Sequence, residues 1–336
     1  MKIAMLSPIA WRTPPIHYGP WEQVTSLLTE ELVKNGIEVT LFATADSVTN
    51  ANLQAVIPKG YEEDGTSDAK VSECLHISEC FENAGQFDII HNQYDFLPLS
   101  YSRLVVTPVV TTIHGFSSQK ILPVYKKYNN NTHYISISNA DRSPELHYLD
   151  TVYHGIDLEQ FSPVPDPKAD YLLFYGRIHK DKGTKEAIEI ARALDKRLII
   201  AGIVQDRSYF TQYVKPFLCE GKVEYIGSIG GDQRKDLLGN ALALLHPIGF
   251  NEPFGLSVVE AMACGTPVIA FNKGSMQELI EHNVNGFLAN GTEEAIEMVR
   301  SVSLIDRKLC RKIARDRFSK ERMAERYIEI YKRILS

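Results

Sequence analysis

Residues 251–271 read NEPFGLSVVEAMACGTPVIAF. A helix beginning near Phe254 to Leu256 has to end before TPVIAF, an apolar run that reads as a strand, and ALALLHP (241–247) just upstream reads as another. Strand, loop, helix, strand is the repeating unit of a parallel sheet covered by helices on both faces. YLLFYG, KRLIIAG, VEYIG and GFLAN supply further strands, separated by helical patterns. The first half of the chain reads the same way, with KIAMLS, EVTLFA, FDIIHN, PVVTTIHG and HYISIS as strands. Between the first two of these, Val24, Leu27, Leu28, Leu32 and Val33 recur at helical spacing and Gly36 closes the helix. The expected fold class is α/β, with two Rossmann-like, doubly wound parallel-sheet domains.

Between the two series lies SPVPDPKAD (162–170), whose Pro163, Pro165 and Pro167 favour extended chain, so it reads as the linker. The expected domains are 1–163 and 170–318, with a terminal helix over 319–336. The 336 residues suffice for two cores. A net charge of −6 argues against sequence-independent nucleic-acid binding, which needs a surplus of Lys and Arg, and points to a small partner. The five cysteines form no CxxC pair and are odd in number, which fits reduced thiols rather than a disulfide framework or zinc site. MKIAMLSPIAW has too short an apolar run for a signal segment, and the expected location is cytoplasmic. Residues 307–336 carry eleven Lys and Arg against four acids on a helical pattern. Peripheral membrane contact is the minority reading there; a solvated helix packed through Ile328, Ile330, Tyr331 and Ile334 is favoured. Oligomeric state has no readable signal.

In open α/β sheets ligands bind beyond the carboxyl ends of the strands. Glu252 follows ALALLHP there, and Glu260 falls on the helix one turn after Leu256, projecting toward the helix N-terminus. Amides at a helix start suit phosphate or sugar oxygens, and two carboxylates accept hydrogen bonds from vicinal hydroxyls, together a site for a sugar nucleotide. Read without their surroundings, the same two glutamates are solvated helix-start acids. After YLLFYG, Arg177 and Lys182 offer two cations for a diphosphate.

These letters resemble family 4 of the retaining glycosyltransferases, with the two-domain GT-B architecture. The resemblance runs over HGIDLEQF, FYGRIHKDKG and, most specifically, EPFGLSVVEAMACGTPVIAF, which matches the family's E-x7-E element. It implies two domains facing across a cleft, a nucleotide diphosphate sugar as donor substrate, a hydroxyl acceptor, no cofactor and no metal. Arg177 and Lys182 would grip the diphosphate, Glu260 the ribose and Glu252 the transferred sugar, beside the amides of Phe254, Gly255 and Leu256. His114 matches the histidine near the reacting sugar; a core histidine ending a buried strand is its plainer reading. Ser136 and Ser138 would line the floor of the cleft or merely pack. In the N-terminal loop, YGPWEQ keeps Gly19 and Glu22, but Pro20 stands where the family has a second glycine. Trp11, His17, Tyr18 and Trp21 are acceptor candidates, or a stiff loop packed on its own domain.

Two other classes remain. A nicotinamide-dependent dehydrogenase would carry GxGxxG after the first strand, and none is there. A non-catalytic, transport-type sugar-binding protein would need export. The sequence does not choose among uridine, guanosine and adenosine donors, or among glucose, N-acetylglucosamine and mannose.

Overall fold

The computed structural model describes residues 1–336 apart from Ser117 and Pro165, with the backbone alone of Cys219 and Glu220. Pro165, one of the three linker prolines, therefore lies outside the described residues, as does the thiol of Cys219. The chain forms two compact units, Met1–Gly155 with Lys320–Ser336, and Ile156–Ser319.

The first unit holds strands β1 (Lys2–Leu6), β2 (Glu38–Phe42), β3 (Asn52–Gln54), β4 (Ile89–Asn92), β5 (Val109–Ile113), β6 (His133–Ser136) and β7 (Tyr148–Thr151). They pair in parallel in the order β3-β2-β1-β4-β5-β6-β7. The second unit holds β8 (Tyr171–Tyr175), β9 (Arg197–Ala201), β10 (Val223–Tyr225), β11 (Ala243–His246), β12 (Val268–Phe271) and β13 (Gly286–Ala289). Their order, β10-β9-β8-β11-β12-β13, is again wholly parallel and repeats the first six positions of the other sheet. Central strands of such sheets are covered on both faces and so read as unbroken apolar runs: Leu172, Leu173, Phe174, Leu198, Ile200, Leu244 and Leu245 are all buried.

Each expected strand is present. The two that the sequence reading lacks, β3 and β7, lie at the sheet's edges, where three or four half-exposed residues give no burial pattern to read. The helix Leu256–Ala263 ends as its letters dictate: Gly265 N–H bonds Met262 O at 2.9 Å and Thr266 N–H bonds Ala261 O at 2.8 Å, the paired closure of a Schellman motif, with Pro267 beyond.

The proline-rich segment is not where the units divide. They part at Gly155 and Ile156, and 156–170 belongs to the second unit. Ile156 N–H bonds Phe318 O at 2.9 Å, and Arg311 donates to the carbonyls of Leu158, Phe161 and Ala263 at 2.6 to 3.0 Å. Those long-range bonds tie 156–161 into the second unit, ahead of the prolines.

The basic tail forms two helices, Arg307–Phe318 and Lys320–Leu335, parted by extended Ser319. Several of its cations have partners within the chain. Arg307 bonds the carbonyls of Gly239 and Ala241, while Arg326 and Arg333 meet Asp150. Met323, Ala324, Tyr327, Ile330 and Tyr331 are buried in the first unit. Among the described residues, no helix is long and apolar enough to cross a membrane.

Candidate active site

In the second unit the chain order reverses at β8, which lies between β9 and β11, and the loops leaving β8 and β11 flank that switch point. The loop after β8 ends in a turn, Lys180–Lys182, followed by Gly183 at φ 77° and the helix Thr184–Ala193. A Cβ at Gly183 would sit 1.9 Å from the carbonyl oxygen of Pro247, so only glycine lets this loop lie on the one after β11. Gly249 N–H bonds Asp181 O at 2.7 Å across the same seam.

That seam fixes Lys182. Its ammonium is hydrogen-bonded to the Glu252 carboxylate and lies 4.8 Å from the centre of the Phe250 ring, with side-chain exposures of 15% for Lys182 and 13% for Glu252. His246, on the last residue of β11, holds Nε2 3.7 Å from the same carboxylate. Burial pushes this imidazole down to about 4, so it is neutral at neutral pH. The loop after β12 closes the third side. Gly274, at φ 57°, leaves no room for a side chain, since a Cβ would be 2.4 Å from both N and O of Glu252. Ser275 donates from its amide to Glu252 O at 3.0 Å and from its hydroxyl to Phe254 O at 2.6 Å. Lys273 donates to Gly249 O at 3.1 Å. The segment from Gly249 to Phe254, itself in the loop after β11, is thus held by the loops after β8 and β12.

Gly255 caps the helix Leu256–Ala263, whose first-turn amides point along its axis toward that segment. One turn in, Glu260 is buried, with Oε1 3.5 Å from Arg234 Nη1. Arg234 also reaches the Tyr175 hydroxyl at 3.4 Å and lies 4.8 Å over the Phe161 ring. Burial raises the Glu260 carboxyl above its ordinary range, and the Arg234 charge pulls it back. Glu260 Oε2 and Arg234 Nε are both enclosed without a hydrogen-bond partner among the described residues. Buried polar atoms rarely stay unpaired, so an acceptor and a donor left without partners here suit a ligand that brings hydroxyls.

Of the sequence candidates, the structure brings Lys182, Glu252, Phe254, Gly255, Leu256 and Glu260 onto the loops and helix at this switch point. Arg177 leaves β8 nearby, but its guanidinium is held by Gln205 rather than by Glu252. Sequence reasoning missed Arg234, His246, Phe250, Gly274 and Ser275. The strand-end rule that found Glu252 would have found NKGS after TPVIAF; nothing local marks Arg234, which reaches Glu260 from another helix, Gly231–Asn240.

In the first unit, His114 follows β5 and is buried. Its Nε2 meets Gln93 Oε1 at 2.8 Å and its Nδ1 meets His154 Nε2 at 3.2 Å, and the Trp21 ring stacks on it at 5.2 Å and 21°. Both ring nitrogens are therefore engaged within the unit. Gly19 caps the helix Pro20–Lys34, with Pro20 in the first turn, where a missing N–H costs no helical bond. Trp11 and Tyr18 contact edge to face at 6.2 Å, while His17 stands exposed. Ser136 bonds Thr151 and Arg142, and Ser138 accepts from Asp141 N–H, so both brace the loop after β6.

Residues 156–320 match the family Glycosyl transferases group 1. Across 333 aligned positions the chain is 25% identical to an uncharacterized glycosyltransferase of Methanocaldococcus jannaschii, covering 85% of this chain and 84% of that one. Its fold is similar to that of sucrose-phosphate synthase from Thermosynechococcus elongatus, with a TM-score of 0.80 at 19% identity over 99% of each chain. It is also similar to that of the Anabaena protein HepE in complex with UDP and glucose, with a TM-score of 0.76 at 20% identity over 99% of each chain. The second unit is a glycosyl transferases group 1 domain, and the chain is a glycosyltransferase of GT-B fold.

Proposed function

We propose that this glycosyltransferase moves a hexose from a nucleotide diphosphate sugar to a hydroxyl of a sugar, glycan or small-molecule acceptor, with retention at the anomeric carbon. The observation that carries the reading is the Lys182–Glu252 pair, seated at the β8/β11 switch point in front of the helix that bears Glu260. Lys182, with Arg177 released from Gln205, binds the diphosphate, and Glu252 accepts from hydroxyls of the sugar. Glu260, through its unpaired Oε2, accepts from the ribose. The amides of Phe254, Gly255 and Leu256 face the remaining oxygens.

As the bond from the anomeric carbon to the diphosphate breaks, its electron pair passes to the leaving oxygen, where Lys182 and Arg177 stabilise the charge. The acceptor oxygen bonds to the anomeric carbon on the same face, and its proton goes to a phosphate oxygen of the departing nucleotide. In this scheme the two cations do what a divalent ion does elsewhere. HepE, a protein of the same fold, was crystallised with UDP and glucose, which makes uridine diphosphate sugars the first to try.

The test is a thermal-shift panel of uridine, guanosine and adenosine diphosphates and their sugars, with and without chelator. A ligand at 100 times its Kd adds about 2.7 kcal/mol to the folded state. One nucleotide sugar should raise the transition regardless of chelator. A response only to a nicotinamide cofactor, or to free sugar alone, would refute the reading.

A further inference from the structure

Three buried histidines in the first unit, His91, His114 and His154, are joined through Gln93. Burial holds His91 and His154 down to about 3 and His114 well below its ordinary value, so at neutral pH each ring is neutral and carries a single N–H. Which nitrogen carries it is set by the partner on the other side of each bond.

The carbonyl oxygen of Gln93 lies 2.8 Å from His114 Nε2. A carbonyl can only accept, so Nε2 carries the proton, and the lone pair on Nδ1 receives the N–H of His154 Nε2 at 3.2 Å. The amide nitrogen of Gln93 lies against the His91 ring, 3.0 Å from Nε2 and 3.4 Å from Nδ1, and the nitrogens of that ring also meet two hydroxyls, Thr112 Oγ1 at 2.8 Å and Tyr331 Oη at 2.6 Å. We infer that Gln93 is a positioning residue for His114, its amide oxygen holding the ring as the Nε2–H tautomer. With Trp21 stacked on its face, the His114 ring is fixed in plane and protonation before any ligand arrives.

The consequence for catalysis rests on the proposed role of His114 beside the reacting sugar, but the tautomers themselves can be read without turnover. Long-range proton–nitrogen correlation spectra of the 15N-histidine-labelled full chain at pH 7 should show His114 protonated on Nε2. In Gln93→Glu a carboxylate still accepts, so His114 should keep that proton. In Gln93→Met, where the ring is no longer held, the Nδ1–H form of His114 should become populated and kcat should fall about tenfold with donor KM little changed. A wild-type His114 protonated on Nδ1, or an Nε2–H form undiminished in Gln93→Met, overturns the inference. Tautomers that behave as expected beside an unchanged kcat in Gln93→Met uphold it and remove His114 from the proposed mechanism.

Discussion

Replacing Glu22 by Gln should make the first unit more stable at alkaline pH. Glu22 lies in the first turn of the helix Pro20–Lys34, is 3% exposed, and among the described residues accepts only a long 3.4 Å bond from Trp11 N–H outside its own helix. Burial pushes its carboxyl from 4.5 up to about 7, with a smaller push from the Glu63 charge, against the pull of backbone N–H groups. The folded state thus holds this proton more tightly than the unfolded chain. Its contribution is complete below about pH 4.5 and lost as pH climbs to about 7, the opposite of a salt-bridged carboxylate. At about 1.4 kcal/mol per tenfold change, the ionised folded state is penalised by about 3 kcal/mol. Gln keeps the shape and drops the charge. The chain's two tryptophans, Trp11 and Trp21, both belong to this unit, so their fluorescence in urea reports its unfolding. Glu22→Gln should match wild type near pH 4.5 and exceed it by up to about 3 kcal/mol at pH 8. Parallel stability curves across that range, or a variant weaker at pH 8, would refute the argument.

Lys182→Ala should lose about 100-fold or more in turnover, and its melting transition should fall too, because the largely buried Glu252 carboxylate is left without its cation; near-normal rates would remove it from the mechanism. Gly183→Ala should cost about 3 kcal/mol or more, since the new methyl meets the Pro247 carbonyl at 1.9 Å in a left-handed conformation, and chemical denaturation would measure it. Arg234→Met should move the pH profile of donor binding upward: Arg234 is what lowers the Glu260 carboxyl against burial, so without it ionisation needs a higher pH. An unmoved profile in titrations with the nucleoside diphosphate would separate Glu260 from the ribose.

The fold was legible because each central strand is buried on both faces and therefore announces itself as an apolar run; β8 reads YLLFY and β11 lies within ALALLHP. The edges were not, because β3 and β7 have too few buried residues to leave a period. The site divides along the same line. Lys182, Glu252 and Glu260 could be found since each stands at a fixed distance from a strand end or helix start in its own stretch of sequence. Arg234 could not, because its bond to Glu260 spans 26 positions and joins two different helices. The division between units was misplaced for a related reason: three prolines are a strong local signal, whereas the bonds from Arg311 and Phe318 that bind 156–161 into the second unit come from 150 or more residues away.

That distinction bears on what each feature can tell about substrates. In the proposed reading, residues at the strand ends, such as Lys182 and Glu252, meet chemistry common to every diphosphate sugar and say nothing of which one is used. Discrimination among bases and sugars has to come from groups brought in by tertiary contact, because only those shape the walls of the site beyond its shared anchor points. In the second unit Arg234, with Phe161 under its guanidinium and Tyr175 beside it, is such a group. In the first unit the Trp21–His114–Gln93 stack is likewise built by tertiary contact, where the chain departs from the two-glycine turn by placing Pro20 and Trp21 at the helix start. A flat aromatic surface on a ring locked in one tautomer offers an acceptor apolar contact and no ionic partner. The acceptor should therefore present an uncharged face there: Trp21→Ala should raise the acceptor KM and leave the donor KM unchanged, whereas a rise in both would place Trp21 in the donor site instead.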